Sequence, residues 1–156
     1  MSAIESTLQS LGITLPPAPK PVAAYVPFVQ TGNLVVISGQ LPSREGKVAF
    51  TGPVPSAVSV EMGAQAARLC AINAIAVLKD ACGGNLDRVA RIVRIGVFVQ
   101  SSEGFADQPK VANGASELLV QVFGDAGRHA RAAVGTNTLP LNATVEVELL
   151  AELKAP

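Results

Sequence analysis

The sequence predicts a single-domain α+β protein in which one mixed β-sheet carries two helices on one face. Three observations lead there. Two long stretches repeat apolar residues at helical spacing, five others are β-rich or alternate in polarity, and Gly or Pro punctuates the intervals between them. The order reads β-β-α-β-α-β-β, so each helix links strands of one sheet and covers the same face. A chain of 156 residues is an ordinary size for one such domain.

The elements follow in order. Residues 2–11 carry Ile4, Leu8 and Leu11 at helical spacing, and Gly12 ends that short helix. A proline-dense arm comes next, with Pro16, Pro17, Pro19, Pro21 and Pro27 supplying five of the 11 prolines. Such density favours an extended, polyproline-like chain. Residues 1–21 are taken as this helix and arm, and residues 22–156 as the domain. Asn33 to Gln40 (NLVVISGQ) reads as a buried strand. A second strand is expected at Val48 to Thr51, stopped by Gly52, Pro53 and Pro55.

Ser59 to Cys82 is the main helix. Ser56 or Ser59 can cap it, Glu61 suits its positive end, and Gly83-Gly84 end it. Its stripe is rich in small residues (Gly63, Ala64, Ala67, Cys70, Ala71, Ala74), so it should lie close to the sheet. Val89 to Gln100 has apolar residues on both alternations and reads as a central strand. Asp107 and Pro109 open a second helix whose buried face is Val111, Ala115, Leu118, Leu119 and Val122, ended by Gly124. Ala130 to Thr136 and Thr144 to Leu153 are expected to pair with each other through Leu139-Pro140. In the last strand Val145, Val147 and Leu149 face the helices. Glu146 and Glu148 face away, joined by Arg131 if the neighbouring strand is in suitable register.

Composition sets further bounds. Twelve basic and 12 acidic residues give a formal net charge of zero, so no basic excess draws the chain to nucleic acid or to a membrane surface. The first 30 residues have no positively charged start followed by an apolar run, which points to a cytoplasmic protein. Only 15% of residues are charged against 49% hydrophobic, where about 25% charged is usual. Some apolar surface is either exposed or buried against other subunits, and the second is favoured. Cys70 and Cys82 lie twelve positions apart in one helix, roughly 18 Å at about 1.5 Å per residue. A disulfide needs Cα atoms within about 7 Å, so two buried thiols are expected. His129 is the only histidine, and no P-loop, G-x-S-x-G or dinucleotide fingerprint occurs. The expectation is no metal and no cofactor.

Four segments carry a family resemblance. They are Pro27-Phe28-Val29-Gln30 with Ile37-Ser38-Gly39-Gln40-Leu41-Pro42; Arg94 to Gln100; Val111-Ala112-Asn113-Gly114-Ala115; and His129-Ala130-Arg131 through Leu139-Pro140 to Val145-Glu146-Val147-Glu148. In their order and spacing the chain resembles the RidA/YjgF family, also called L-PSP endoribonuclease-like. The interval from Arg131 to Glu146 is the most specific feature. The resemblance implies a chorismate mutase-like fold, a homotrimer and a ligand cleft between subunits. Its best-understood members hydrolyse 2-imino acids to 2-oxo acids and ammonia without a cofactor. By that resemblance Arg131 grips the substrate carboxylate, while Glu146 positions or activates water. The same resemblance implies that Phe28, Ser38, Gly39, Asn113 and Ala133 line the cleft. The chain departs from the deaminases at two places, with Ala133 where they have cysteine and Phe28 where they have tyrosine.

Each candidate also has a plainer reading. Arg131 can be a strand arginine paired with Glu146 or Glu148, and those glutamates can be a solvated face. Ser38-Gly39 can be a strand end, Asn113 a solvent-facing helix residue, and Phe28 a core residue. Three functions are therefore weighed. They are a deaminase using Arg131 and Glu146, a non-catalytic module binding a small carboxylate or a protein partner, and a ribonuclease. One histidine and one tyrosine (Tyr25) give the last little for base stacking or paired acid–base chemistry.

Overall fold

A computed structural model describes residues 1–18 and 24–156. Helix α1 (Ala3–Ser10) is opened by a capping box in which Ser2 and Glu5 satisfy each other's backbone N–H groups. It docks on the body through Leu8, which is buried, and through the Asp87 carboxylate, which accepts from the N–H groups of Ala3 and Ile4. The chain beyond it is described up to residue 18, where Ile13 and Leu15 pack against the core. The polyproline-like reading of the arm falls partly on residues 19–23, which lie outside the described residues.

The main sheet has five strands in the order β1-β2-β7-β5-β6. These are β1 (Phe28–Thr31), β2 (Leu34–Gln40), β5 (Val89–Gln100), β6 (Ala130–Thr136) and β7 (Val145–Leu153). Helices α2 (Val60–Ala81) and α3 (Gln108–Phe123) cover one face. Beneath them lies a continuous apolar layer of Val35, Ile37, Ile95, Val97, Val99, Val145, Val147 and Leu149, all buried. Side chains of this kind contribute roughly 1.5–3 kcal/mol each on burial. α2 and α3 also pack on each other closely. A Cβ at Gly114 would overlap the Ala64 carbonyl of α2, so glycine there lets the two helices approach this closely.

Two expectations are corrected. The second strand of the sheet is Phe28–Thr31, which forms a hairpin with β2 across Gly32-Asn33, Gly32 taking φ 59°. Lys47–Val48 (β4) instead pairs with Ser43–Arg44 (β3) around Glu45-Gly46, both at positive φ, in a small ladder off the sheet. A short edge strand directly after Pro27 has little hydrophobic signal of its own. The second correction concerns the end of the chain. β6 and β7 do not pair, because β5 lies between them, parallel to β6 and antiparallel to β7. The β5–α3–β6 crossover returns the chain parallel to β5. The 137–144 connection, with a tight helical turn at Pro140–Asn142, then carries it to the other side of β5.

Candidate functional site

Strand order decides where the two principal residues stand. Arg131 and Leu149 both lie opposite Ile95 in register, so Arg131 is on the helix-covered face. Glu146 lies opposite Phe98, on the open face. The expected sharing of one face by Arg131, Glu146 and Glu148 is therefore wrong within one chain, and the inserted strand β5 is the reason.

Arg131 occupies an edge strand and reaches over to α3. Its Nη1 donates to Asn113 Oδ1 at 2.9 Å and to Ser116 Oγ at 3.1 Å. Ser116 Oγ is also 2.9 Å from His129 Nε2, and His129 Nδ1 is 2.6 Å from the Gly127 carbonyl oxygen. Asn113 was expected from the sequence; Ser116 was not. Its signal was the three-residue spacing from Asn113, which puts both on one helix face. His129 stands just before β6 begins, and the Ser116 hydroxyl it shares with Arg131 puts both on the α3 side of the sheet. Ala133 follows on that side, half-buried against the core.

The carboxylate half lies two strands away. Glu146 lies over Gly39, where a Cβ would run into its carboxyl group, and Glu148 lies likewise over Gly96. Gly39 sits in a bulge of β2, since Ile37 pairs with Leu149 but Gln40 with Val147. Ser38 is tied down there, its Oγ donating to the Val26 carbonyl at 2.7 Å. Phe28 lies opposite Ile37 on the helix face and packs on the core, so it is not beside Glu146. Glu148 pairs with Arg94 at 3.1 Å. Glu146 differs: burial pushes its carboxyl above the ordinary carboxylate range, and the Glu148 charge adds to that. On the helix side of the sheet Cys70 is fully buried, which raises its thiol well above the ordinary value and leaves it inert.

One chain thus presents two separate groups. Arg131 and Asn113 meet, with Ala133 on the same side of β6; Glu146 and Gly39 meet, with Ser38 in the same bulge. The open face exposes Val134 (47%) on β6 beside the half-buried Phe98, and Val29 (54%), Leu34 (39%) and Val36 (49%) on β1 and β2 beyond β7. No helix among the described residues is long and apolar enough to cross a membrane.

A mixed five-stranded sheet with two long helices on one face places the chain among the α+β proteins. The family model described as "YjgF/chorismate mutase-like, putative endoribonuclease" matches residues 5–153. The chain belongs to this RidA/YjgF family. It is 46% identical over 151 residues to Protein TCP17 of Trypanosoma cruzi, covering 96% of this chain and 94% of that one. A 2-iminobutanoate/2-iminopropanoate deaminase of Dermatophagoides farinae is 29% identical, with 87% of this chain and 91% of the relative covered. Among solved structures, Atu1372 of Agrobacterium tumefaciens, described as of unknown function, superposes with a TM-score of 0.91 at 47% identity. That match covers 97% of this chain and 92% of Atu1372.

Proposed function

We propose that the protein hydrolyses small 2-imino acids, and their enamine tautomers, to 2-oxo acids and ammonia at a site completed by two copies of the chain. The observation that carries this reading is the division just described. Arg131 and Glu146 have the side chains the chemistry needs, yet they stand on opposite faces and two strands apart. A second copy laying its β6 edge over the open face of the first would bring them together and cover the exposed valines. The family relation favours a homotrimer, whose heterologous contacts close into a ring with three equivalent sites.

In the reaction Arg131 holds the substrate carboxylate through two parallel N–H donors. Glu146 takes a proton from water as its oxygen bonds to the imine carbon, forming a carbinolamine. That proton passes to the imine nitrogen to complete the carbinolamine. Glu146 then carries the hydroxyl proton to nitrogen as the C–N bond breaks, so that ammonia leaves and the carbonyl of the 2-oxo acid forms. A carboxyl raised by burial suits both the taking and the return of that proton. Water, imine and carboxylates balance the equation, so no cofactor is invoked. Free, buried Cys70 and Cys82 support a reducing, cytoplasmic setting.

Ala133 favours a second reading, a non-catalytic module that holds a small carboxylate in the same cleft, because it supplies no thiol where the deaminases have one. A coupled assay separates the two. A dehydratase generates 2-iminobutyrate, and ammonia release is timed with and without the protein. Acceleration is expected; none at high protein concentration would leave only the binding module. Subunit mixing tests the shared site. Arg131→Ala and Glu146→Ala chains, each inactive alone, should regain about a quarter of wild-type activity when co-refolded, since one interface in four pairs two intact residues. No recovery would place both residues in the same chain's site and sink the division.

A further inference from the structure

We propose that Ser116 and His129 are positioning residues, a relay that fixes the Arg131 guanidinium so that one edge stays free for a carboxylate. The inference rests on the carboxylate reading of Arg131 and assigns residues that the family resemblance does not. The chemistry of the atoms gives the relay a direction. A backbone carbonyl only accepts, so the 2.6 Å contact to Gly127 puts the proton on His129 Nδ1. In the neutral ring Nε2 is then the acceptor, and Ser116 Oγ donates to it at 2.9 Å. With its proton committed, the same oxygen turns its lone pairs to Arg131 Nη1 at 3.1 Å. Asn113 Oδ1 takes the other Nη1 hydrogen at 2.9 Å.

Both hydrogens of Nη1 are therefore used. Among the described residues Nε and Nη2 have no protein partner. Together they form the side-on fork that matches a carboxylate. The far end of the relay is fixed, because Gly127 is buried against the backbone of α3, where a Cβ would overlap the Leu119 carbonyl. Ser116 and His129 are both half-buried, whereas Arg131 itself is exposed. An exposed arginine would otherwise sample many rotamers, and the relay removes that freedom before the ligand arrives.

The test reads the guanidinium directly. Side-chain ¹⁵N–¹H spectra of the full chain should show one arginine with slowed rotation and separate Nη signals, assigned by their loss in Arg131→Lys. Ser116→Ala and His129→Phe should collapse those signals to an averaged one, while Ser116→Thr, which keeps the hydroxyl, retains them. Titration with 2-oxobutyrate should show about 3- to 10-fold weaker binding for Ser116→Ala, as for the loss of one hydrogen bond. Melting curves confirm that each variant is folded. Separate Nη signals that survive both Ser116→Ala and His129→Phe, or an averaged signal already in the wild type, would overturn the proposal. A wild type that binds no 2-oxobutyrate sinks the carboxylate reading instead, and the guanidinium spectrum alone then decides the relay.

Discussion

The two halves of the candidate site are held in opposite ways. Arg131 is fastened by hydrogen bonds: Asn113 and Ser116 from α3 grip one nitrogen, and His129 braces the serine. Glu146 is given space and little else. Gly39 leaves room for its carboxyl, and among the described residues none donates a hydrogen bond to it. The difference suits the roles proposed for the two groups. A guanidinium is charged at any working pH, so only its orientation needs control. A general base must exchange a proton, and hydrogen bonds to its charged form would hold its pKa down. Burial without partners moves the carboxyl upward instead.

The sharpest way to break this contrast is to remove the base and the anchor separately. Glu146→Gln keeps shape but not basicity, so hydrolysis should fall about 10²- to 10⁴-fold while 2-oxobutyrate binding survives. Equal loss of both would make Glu146 a binding group. Arg131→Lys should do the reverse. Lysine keeps the charge and loses the fork, weakening carboxylate binding by roughly 1.5–3 kcal/mol, or about 10- to 150-fold, in calorimetric titration. If the wild type binds and the lysine variant binds equally well, Arg131 is only a structural residue of the β6 edge. Gly39→Ala is milder. The added methyl pushes the Glu146 carboxyl aside, and a displaced base should slow turnover about 10-fold with binding little changed. An unaltered rate would mean that the position of Glu146 over Gly39 is unimportant.

Much of this was legible in the residues. The stripe through Gly63, Cys70 and Ala74 marked α2, Val111 to Val122 marked α3, and the alternation of Val145, Glu146 and Val147 assigned the faces of β7 correctly. What failed was pairing. Alternation tells which way a side chain points relative to its own strand, but not which strand is its neighbour. The Leu139-Pro140 segment suggested a simple return, while the crossover through α3 puts β5 in between. Arg131 therefore moved to the other face. Hydrogen bonds such as Ser116 to His129 join a helix to the loop before β6 across 13 positions of sequence, and spacing within one element cannot reveal them.

The smallest expected effect is on stability, and it isolates what burial does to Glu146. Its folded-state pKa is raised, chiefly by desolvation. The native state then holds the proton more firmly than the unfolded chain does. Stability from this group is fully present below the ordinary value of 4.5 and is lost as pH rises through the folded pKa. Glutamine carries no charge at any pH. Glu146→Gln should therefore gain on the wild type as pH rises above 4.5, with the melting-temperature gap widening and then levelling once the carboxyl is ionised in both states. The group is only half-buried, so solvent screening keeps the gain under about 1 kcal/mol. Glu148→Gln is the contrast, because it loses the Arg94 ion pair and should melt slightly lower than the wild type at neutral pH. If the Glu146→Gln gap narrows as pH rises, the charged carboxylate is stabilised in the fold. Glu146 would then have partners like those of Arg131, and the distinction between the two halves would fail.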